Sequence, residues 1–396
     1  MTVGPAGDEM EREIHVLVVT HSEKVWGAER QLLDLRPRLL AARIRITLAC
    51  PAGSELSRAW AATGSATVPY QPAGPLGLRE PDGSRSGIRS VARQLFVIAA
   101  DARRVRKLVR DAGADVVESY TLNANAEVVL AGRLTRTPAV VDLHDIVVPG
   151  IGRRVLGLTV SGAQATIANS RATAGATHRG RVEIVHPGVD VTRFRPGPAE
   201  PGMRERLAAR ADRPIVGILG RLDPEKGIDV LARAMARLRA PHDDAQLAVV
   251  GAPLVDGAAY AESLRREASA LLGDRVRFVG PTDDVPAVVR ALDVLVNASR
   301  AEPFGLTVLE ALACGVPVVA SAAGGIPEFV TDGVSGLLFP PGDEDALAGA
   351  LARMLDDSTL RQRAREQGRS IAEQKSIDHQ AARVAEVLRS VLAPDN

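Results

Sequence analysis

Short runs of Val, Ile and Leu recur along the chain, each followed by a longer amphipathic stretch. A run that is apolar at every position reads as a strand buried on both faces, and the stretch after it as a crossover helix. In the first half this pattern predicts strands near Ile14–Thr20, Ile44–Cys50, Asp115–Ser119, Ala139–Leu143, Ala165–Asn169 and Glu183–His186. In the second half it predicts them near Ile215–Leu219, Leu247–Gly251, Val276–Val279, Val294–Asn297 and Val316–Ser321. The first strand leads through a Gly-containing loop into a helix over Ala28–Leu40. Each half therefore reads as a complete doubly wound α/β unit.

The alternation breaks at Asp190–Ala211, where Phe194-Arg195-Pro196-Gly197-Pro198 and a second Pro-Gly at 201–202 read as a linker. The expected organisation is a disordered tail over 1–13, a first domain over 14–190, a second over 191–375 and a closing helix over 376–396. At 396 residues the chain suits two cores better than one. Gln71–Gly87, with repeated Pro and Gly and no period, reads as a long loop of the first domain.

Composition narrows the function by exclusion. The formal net charge is +1, so no global basic field exists to hold a nucleic-acid backbone. Cys50 and Cys314 stand far apart among apolar neighbours and read as small core residues, with no spacing that suggests a metal site or a disulfide framework. The polar start, Met1–Glu13, has no apolar signal core, and no apolar run reaches the ~20 residues of a membrane span, so a cytoplasmic protein is expected. Residues 86–110 are rich in arginine, with Leu95, Phe96, Val97 and Ile98 at the middle. Such a helix either lays an apolar stripe on the core or rests weakly on anionic lipid at the inner face of the membrane. Only Lys24, Lys107, Lys226 and Lys375 among the 49 basic residues are lysines, which draws attention to Lys226.

Two motifs carry candidate chemistry. In Ser299-Arg-Ala-Glu302-Pro-Phe-Gly-Leu-Thr-Val-Leu-Glu310, a turn enters a helix directly after a strand. The amides of Phe304, Gly305, Leu306 and Thr307 would then stand free at a helix N-terminus, where a diphosphate fits. Alternatively Glu302 complements the helix dipole and Glu310 is merely solvated. In Gly220-Arg221-Leu-Asp-Pro-Glu-Lys226-Gly227, Arg221 and Lys226 share one loop at the carboxyl end of a strand, where open α/β sheets bind ligands. They could neutralise a departing diphosphate, or form a surface cluster with Asp223 and Glu225.

With these motifs the chain resembles the retaining nucleotide-sugar glycosyltransferases of family four, which have the GT-B fold: two Rossmann-like domains facing each other across a cleft. The resemblance rests on Gly27-Ala28-Glu29-Arg30, His144-Asp145, His186-Pro-Gly-Val-Asp190, the Gly220–Gly227 loop and the Glu302/Glu310 pair. It implies a donor-binding second domain, an acceptor-binding first domain and a final helix that crosses back to the first. It implies that Arg221 and Lys226 bind the donor diphosphate, that Glu302 contacts sugar hydroxyls, that amides at Gly305–Thr307 meet phosphate and that Glu310 holds the ribose. Gly27 would let backbone approach the donor, although it is preceded by Trp26 where the family often has a second glycine. His144 would contact the donor sugar near the reacting carbon or orient the acceptor. The donor is then a nucleoside diphosphate sugar used as substrate, with no cofactor and no metal required.

No Gly-x-Ser-x-Gly elbow, His-Glu-x-x-His or phosphate-loop motif is present, and no Gly-x-Gly-x-x-Gly follows Ile14–Thr20. Two other readings stay open. A sugar-nucleotide epimerase of GT-B fold would convert the donor alone, and a non-catalytic sugar-nucleotide sensor would bind it without turnover. The acceptor, the nucleobase and the oligomeric state are not legible.

Overall fold

The structure is a computed structural model that describes residues 12–74, 88–147, 151–175, 180–253 and 257–393. Most of the 1–13 tail and of the Gln71–Gly87 loop lies outside these residues. Among the described residues thirteen strands form two fully parallel sheets. The first holds β1 (Ile14–Val19), β2 (Ile44–Cys50), β3 (Thr67–Pro69), β4 (Val116–Ser119), β5 (Ala139–Leu143), β6 (Ala165–Ala168) and β7 (Val182–Ile184), in the order β3-β2-β1-β4-β5-β6-β7. The second holds β8 (Ile215–Leu219), β9 (Gln246–Val250), β10 (Val276–Gly280), β11 (Val294–Asn297), β12 (Val318–Ser321) and β13 (Leu337–Phe339), in the order β10-β9-β8-β11-β12-β13.

Each order runs outward in one direction and then reverses, so each sheet has a topological switch point, between β1 and β4 in the first and between β8 and β11 in the second. Loops at the carboxyl ends of those strands form the crevice in which such folds bind ligands. The predicted strands are all present. Sequence pattern missed β3 and β13, each three residues long at a sheet edge. Neither run is long enough to show a period, and Pro69 inside β3 is tolerated because an edge strand can spare a donor.

The chain divides into two compact units: Met1–Ala168 with Ala174–Val185 and Ala381–Asn396, and Asn169–Thr173 with His186–Gln380. The Pro/Gly-rich stretch after Asp190 belongs to the second, where Phe194 is buried in the core beside Val308, Leu312 and Ala372.

In the second unit, helix Ile228–Arg237 buries Ile228, Leu231, Ala232 and Met235 against Val216 and Val294 of the sheet. The apolar face of helix Leu306–Ala313 packs on the opposite side with Ile215 and Leu295. In the first unit, helix Ile88–Ala112 buries Val97, Ala102, Val105 and Val109, so its apolar stripe serves the core, while Leu95 and Phe96 stand exposed. Cys50 and Cys314 are both buried thiols, and burial pushes Cys314 up to about 12. No helix of the described residues is long and apolar enough to cross a membrane.

Packing of this kind predicts position-dependent stability. Leu231→Ala should lower the unfolding free energy by about 2–5 kcal/mol in denaturant titrations, because it opens a cavity under the sheet. Leu95→Ala, at a side chain left 63% exposed, should stay within about 0.5 kcal/mol of the parent. Equal losses at both sites would contradict the assignment of the core.

Candidate active site

The loop after β8 begins with Gly220 and runs through Arg221 and Asp223 into a short 3-10 turn, Pro224–Lys226. Asp223 caps that turn, its Oδ1 accepting the amides of Glu225 at 3.0 Å and Lys226 at 3.2 Å. Gly227 then turns the chain into helix Ile228–Arg237 with φ +63°, and a Cβ there would lie 2.0 Å from the carbonyl oxygen of Ala298. Only glycine permits this approach. It brings the loop after β8 against the end of β11 and so sets Lys226 beside Glu302.

A side-chain clamp holds the same two segments. Arg300 pairs with both carboxylate oxygens of Asp229, at 3.0 and 2.7 Å, and its backbone amide donates to the Glu225 carbonyl at 2.7 Å. Burial alone would raise the Asp229 carboxyl, but the guanidinium groups of Arg300 and Arg233 outweigh it and hold the group below its ordinary value. The sequence reading passed over this clamp. Its one visible signal was an arginine directly after Ser299, in a motif whose attention goes to the glutamates.

Glu302 is 7% exposed. Its Oε2 accepts from Lys226 Nζ at 2.8 Å, Ser299 Oγ at 2.9 Å and Asn297 Nδ2 at 3.2 Å. Desolvation would raise this carboxyl; the Lys226 ammonium and the hydrogen bonds from Asn297 and Ser299 more than compensate and lower it. Ser299 and Asn297 are supports that the motif did not reveal as such. Arg221 pairs instead with Asp223 at 3.0 Å and leaves about a third of its side chain exposed. Of the surface cluster considered for this loop, the Arg221–Asp223 half exists, while Lys226 reaches into the glutamate turn.

Helix Leu306–Ala313 has Gly305 as its N-cap, with φ +100° and no side chain capping the helix. A Cβ on Gly305 would lie 2.8 Å from Ile326 Cγ1, so the residue is confined both by its backbone angle and by its neighbour. The first amides of this helix, at Leu306 and Thr307, carry the positive end of its dipole, and the side chain of Glu302, which pairs with Lys226, comes within 3.7 Å of where a Gly305 Cβ would stand. Phe304 contributes backbone only, since its ring is 3% exposed and stacks on Phe329 with centroids 4.8 Å apart. Glu310 lies one turn into the helix and is half-buried.

The remaining predicted residues lie in the first unit. Gly27 opens helix Gly27–Ala41, where Glu29 reaches back to accept the Trp26 amide at 3.1 Å. A Cβ on Gly27 would meet nothing within 4 Å, so sterics do not require glycine at that position in the unit itself. His144 follows β5, its Nε2 3.4 Å from Asp142 Oδ1 and its ring 4.4 Å from that of Tyr120. Burial would lower the imidazole, but Asp142, Asp145 and Glu29 together raise it. Glu118 on β4 is buried near Asp142 and is pushed up to about 8 by that burial first and by the carboxylate second.

Comparison with known proteins follows the same division. The family described as Glycosyltransferase Family 4 matches residues 25–193, and Glycosyl transferases group 1 matches 200–371. Among curated relatives, a D-inositol 3-phosphate glycosyltransferase of Salinispora tropica is 41% identical over 228 residues, 52% of this chain and 47% of that protein. One of the same name from Mycobacterium marinum is 38% identical over 204 residues, 51% of this chain and 41% of that protein. The chain thus spans about half the length of the curated relatives it matches. Anabaena HepE, solved with UDP-glucose, aligns over 95% of this chain and 100% of its own with TM-score 0.78 and 25% identity. Sucrose-phosphate synthase from Thermosynechococcus elongatus shares the fold, with TM-score 0.76 over 96% of this chain at 24% identity. Two parallel α/β sheets, the β8 and β11 loops joined at their switch point and these matches give one conclusion: the chain belongs to the glycosyltransferases of family four and has the GT-B fold.

Proposed function

We propose that the chain transfers a sugar from a nucleoside diphosphate sugar to an acceptor, with retention of anomeric configuration and without a metal. The observation that carries this reading is the Lys226–Glu302 pair at the β8/β11 switch point, beside the uncapped N-terminus of helix Leu306–Ala313. HepE is solved with UDP and with UDP-glucose, which makes UDP-glucose the first donor to test. The names of the curated relatives make D-inositol 3-phosphate the first acceptor. The family match favours transfer over the epimerase and sensor readings.

In this mechanism the diphosphate lies on the Leu306 and Thr307 amides. Sugar hydroxyls donate to Glu302 and Lys226 turns to the phosphate oxygens, joined by Arg221. Glu310 accepts from the ribose, and His144 meets the sugar or orients the acceptor. As the bond from anomeric carbon to phosphate oxygen breaks, negative charge grows on the diphosphate, so cations there stabilise the transition state more than the bound donor. The acceptor oxygen attacks from the face the phosphate leaves, and its proton passes to that phosphate. Position and charge then do the work, and no pair of catalytic carboxylates is needed.

Replacing Lys226 also strips Glu302 of its cation, so loss of the pair must be separated from loss of chemistry. Lys226→Ala should cut turnover at saturating UDP-glucose by ~10²–10³, the scale for removing one oxyanion donor, and should lower the melting temperature as well. Arg221→Ala should cut turnover comparably with little change in melting. The double variant Lys226→Ala/Glu302→Gln removes the uncompensated charge and should recover melting without recovering turnover. Near-normal turnover in Lys226→Ala and Arg221→Ala would return both cations to a structural role.

Metal independence is tested separately. Turnover in excess chelator should remain within about twofold of the untreated enzyme, because side-chain cations and amides carry the diphosphate charge. Complete loss that magnesium restores would contradict this part of the mechanism.

A further inference from the structure

The segment His186-Pro-Gly-Val-Asp190 opens the longer stretch of the second unit, His186–Gln380. His186 is held on both ring nitrogens. Lys375 Nζ lies 2.8 Å from Nδ1, and Glu328 Oε2 lies 2.9 Å from Nε2. An ammonium can only donate, so Nδ1 must accept and the single ring proton must sit on Nε2, donated to Glu328. The arrangement admits one tautomer of a neutral imidazole. Burial, and after it the Lys375 ammonium, lower the ring's pKa against the opposing pull of Glu328, which agrees with a neutral ring at neutral pH.

Both partners are themselves fixed. The other carboxylate oxygen of Glu328 accepts the backbone amides of Arg171 at 2.8 Å and Ala172 at 3.3 Å. Lys375 is placed by a backbone ladder, in which Val189 N donates to Lys375 O at 3.0 Å and Ile377 N donates to Val189 O at 3.0 Å. A ring tied in this way cannot rotate without breaking a charge-assisted hydrogen bond.

What the ring touches is the donor turn. His186 stacks on Phe304 with centroids 5.5 Å apart and planes 29° apart, and Phe304 stacks on Phe329 at 4.8 Å and 28°. Phe304 is the residue before Gly305, and its ring lies in the middle of this three-ring stack. The segment carrying Phe329 and Glu328 also holds the turn directly. Gly325 N donates to the Glu302 carbonyl at 3.1 Å, and Ile326 fills the space beside Gly305. One face of the turn is thus braced by the Ala323–Val330 segment and the other by His186.

We infer that His186, locked between Lys375 and Glu328, is a positioning residue that fixes Phe304 and thereby the Leu306 and Thr307 amides that receive the donor diphosphate. The inference rests on the donor reading above for what those amides receive, and on geometry alone for the bracing. His186 touches no reacting atom in this scheme. It acts through the ring of Phe304, and the stack, not the charge of the imidazole, is what the turn requires.

Two substitutions separate ring from polar contacts. His186→Gln can accept from Lys375 and donate to Glu328 but offers no ring, whereas His186→Phe keeps a ring and loses both polar contacts. Amide hydrogen exchange in the ligand-free protein reads the turn at Val308 and Leu309, whose amides both donate to the Gly305 carbonyl, at 3.0 and 3.2 Å. His186→Gln should speed exchange at these two amides up to about tenfold, the scale of one aromatic pair, and raise the UDP-glucose KM by a similar factor. The KM for acceptor should not move, and His186→Phe should stay near the parent in both readouts. Unchanged exchange in His186→Gln overturns the inference, and so does a raised donor KM without faster exchange, which would mean direct contact with donor. If the parent protein binds no UDP-glucose while His186→Gln still loosens Val308 and Leu309, the bracing stands and the donor reading is what fails. Should His186→Gln fold poorly, Phe304→Leu removes the same stack from the other side and must give the same loosening.

Discussion

A carboxylate buried to the extent of Glu302 is costly unless it is paired and its lone pairs are filled. Satisfying it organises the second unit. Asn297 and Ser299 are local donors, but the cation must come from elsewhere in the chain, and it comes from the loop after β8. That loop can reach only because Gly227 lets two backbones pass at a distance no side chain would allow. The Arg300–Asp229 clamp then fixes the approach a second time, from the exposed side. A charge that would destabilise an apolar core is thereby stabilised at the switch point of the second sheet.

In the proposed mechanism a donor exchanges these interactions one for one. Glu302 would then offer acceptor capacity to sugar hydroxyls, and Lys226 would move to the anion proposed at the helix N-terminus. Under that proposal binding energy goes into transferring a cation from carboxylate to phosphate, and the Lys226 side chain, 22% exposed, is already largely desolvated. The cost of preorganisation is met during folding, and the stack of His186, Phe304 and Phe329 keeps the receiving amides where that exchange needs them.

The fold was legible because buried parallel strands write themselves as uninterrupted Val/Ile/Leu runs, whereas β3 and β13 are too short to do so. The loop after β8 and the glutamate turn stood out because their glycines and charges sit at fixed spacing, although their pairing across 76 positions did not. Scarcity of lysine pointed to Lys226; the same argument applies to Lys375, which joins His186 through backbone pairing that no local pattern announces. Asn297, Ser299 and Arg300 were overlooked because short polar residues after a strand are common in any turn. Gly27 stood out in sequence, and the space around it in its own unit is open.

In the proposed mechanism a donor diphosphate takes Lys226 from Glu302 and rests on the N-terminus of helix Leu306–Ala313. The most direct measurement is a crystal structure of the protein with UDP, the diphosphate-bearing product of a UDP-sugar donor. Phosphate oxygens are expected within hydrogen-bond reach of the Leu306 and Thr307 amides, at about 2.7–3.2 Å, with Lys226 Nζ turned onto them and the ribose on Glu310. A nucleotide bound elsewhere, with the 2.8 Å pair between Lys226 and Glu302 intact, would contradict it.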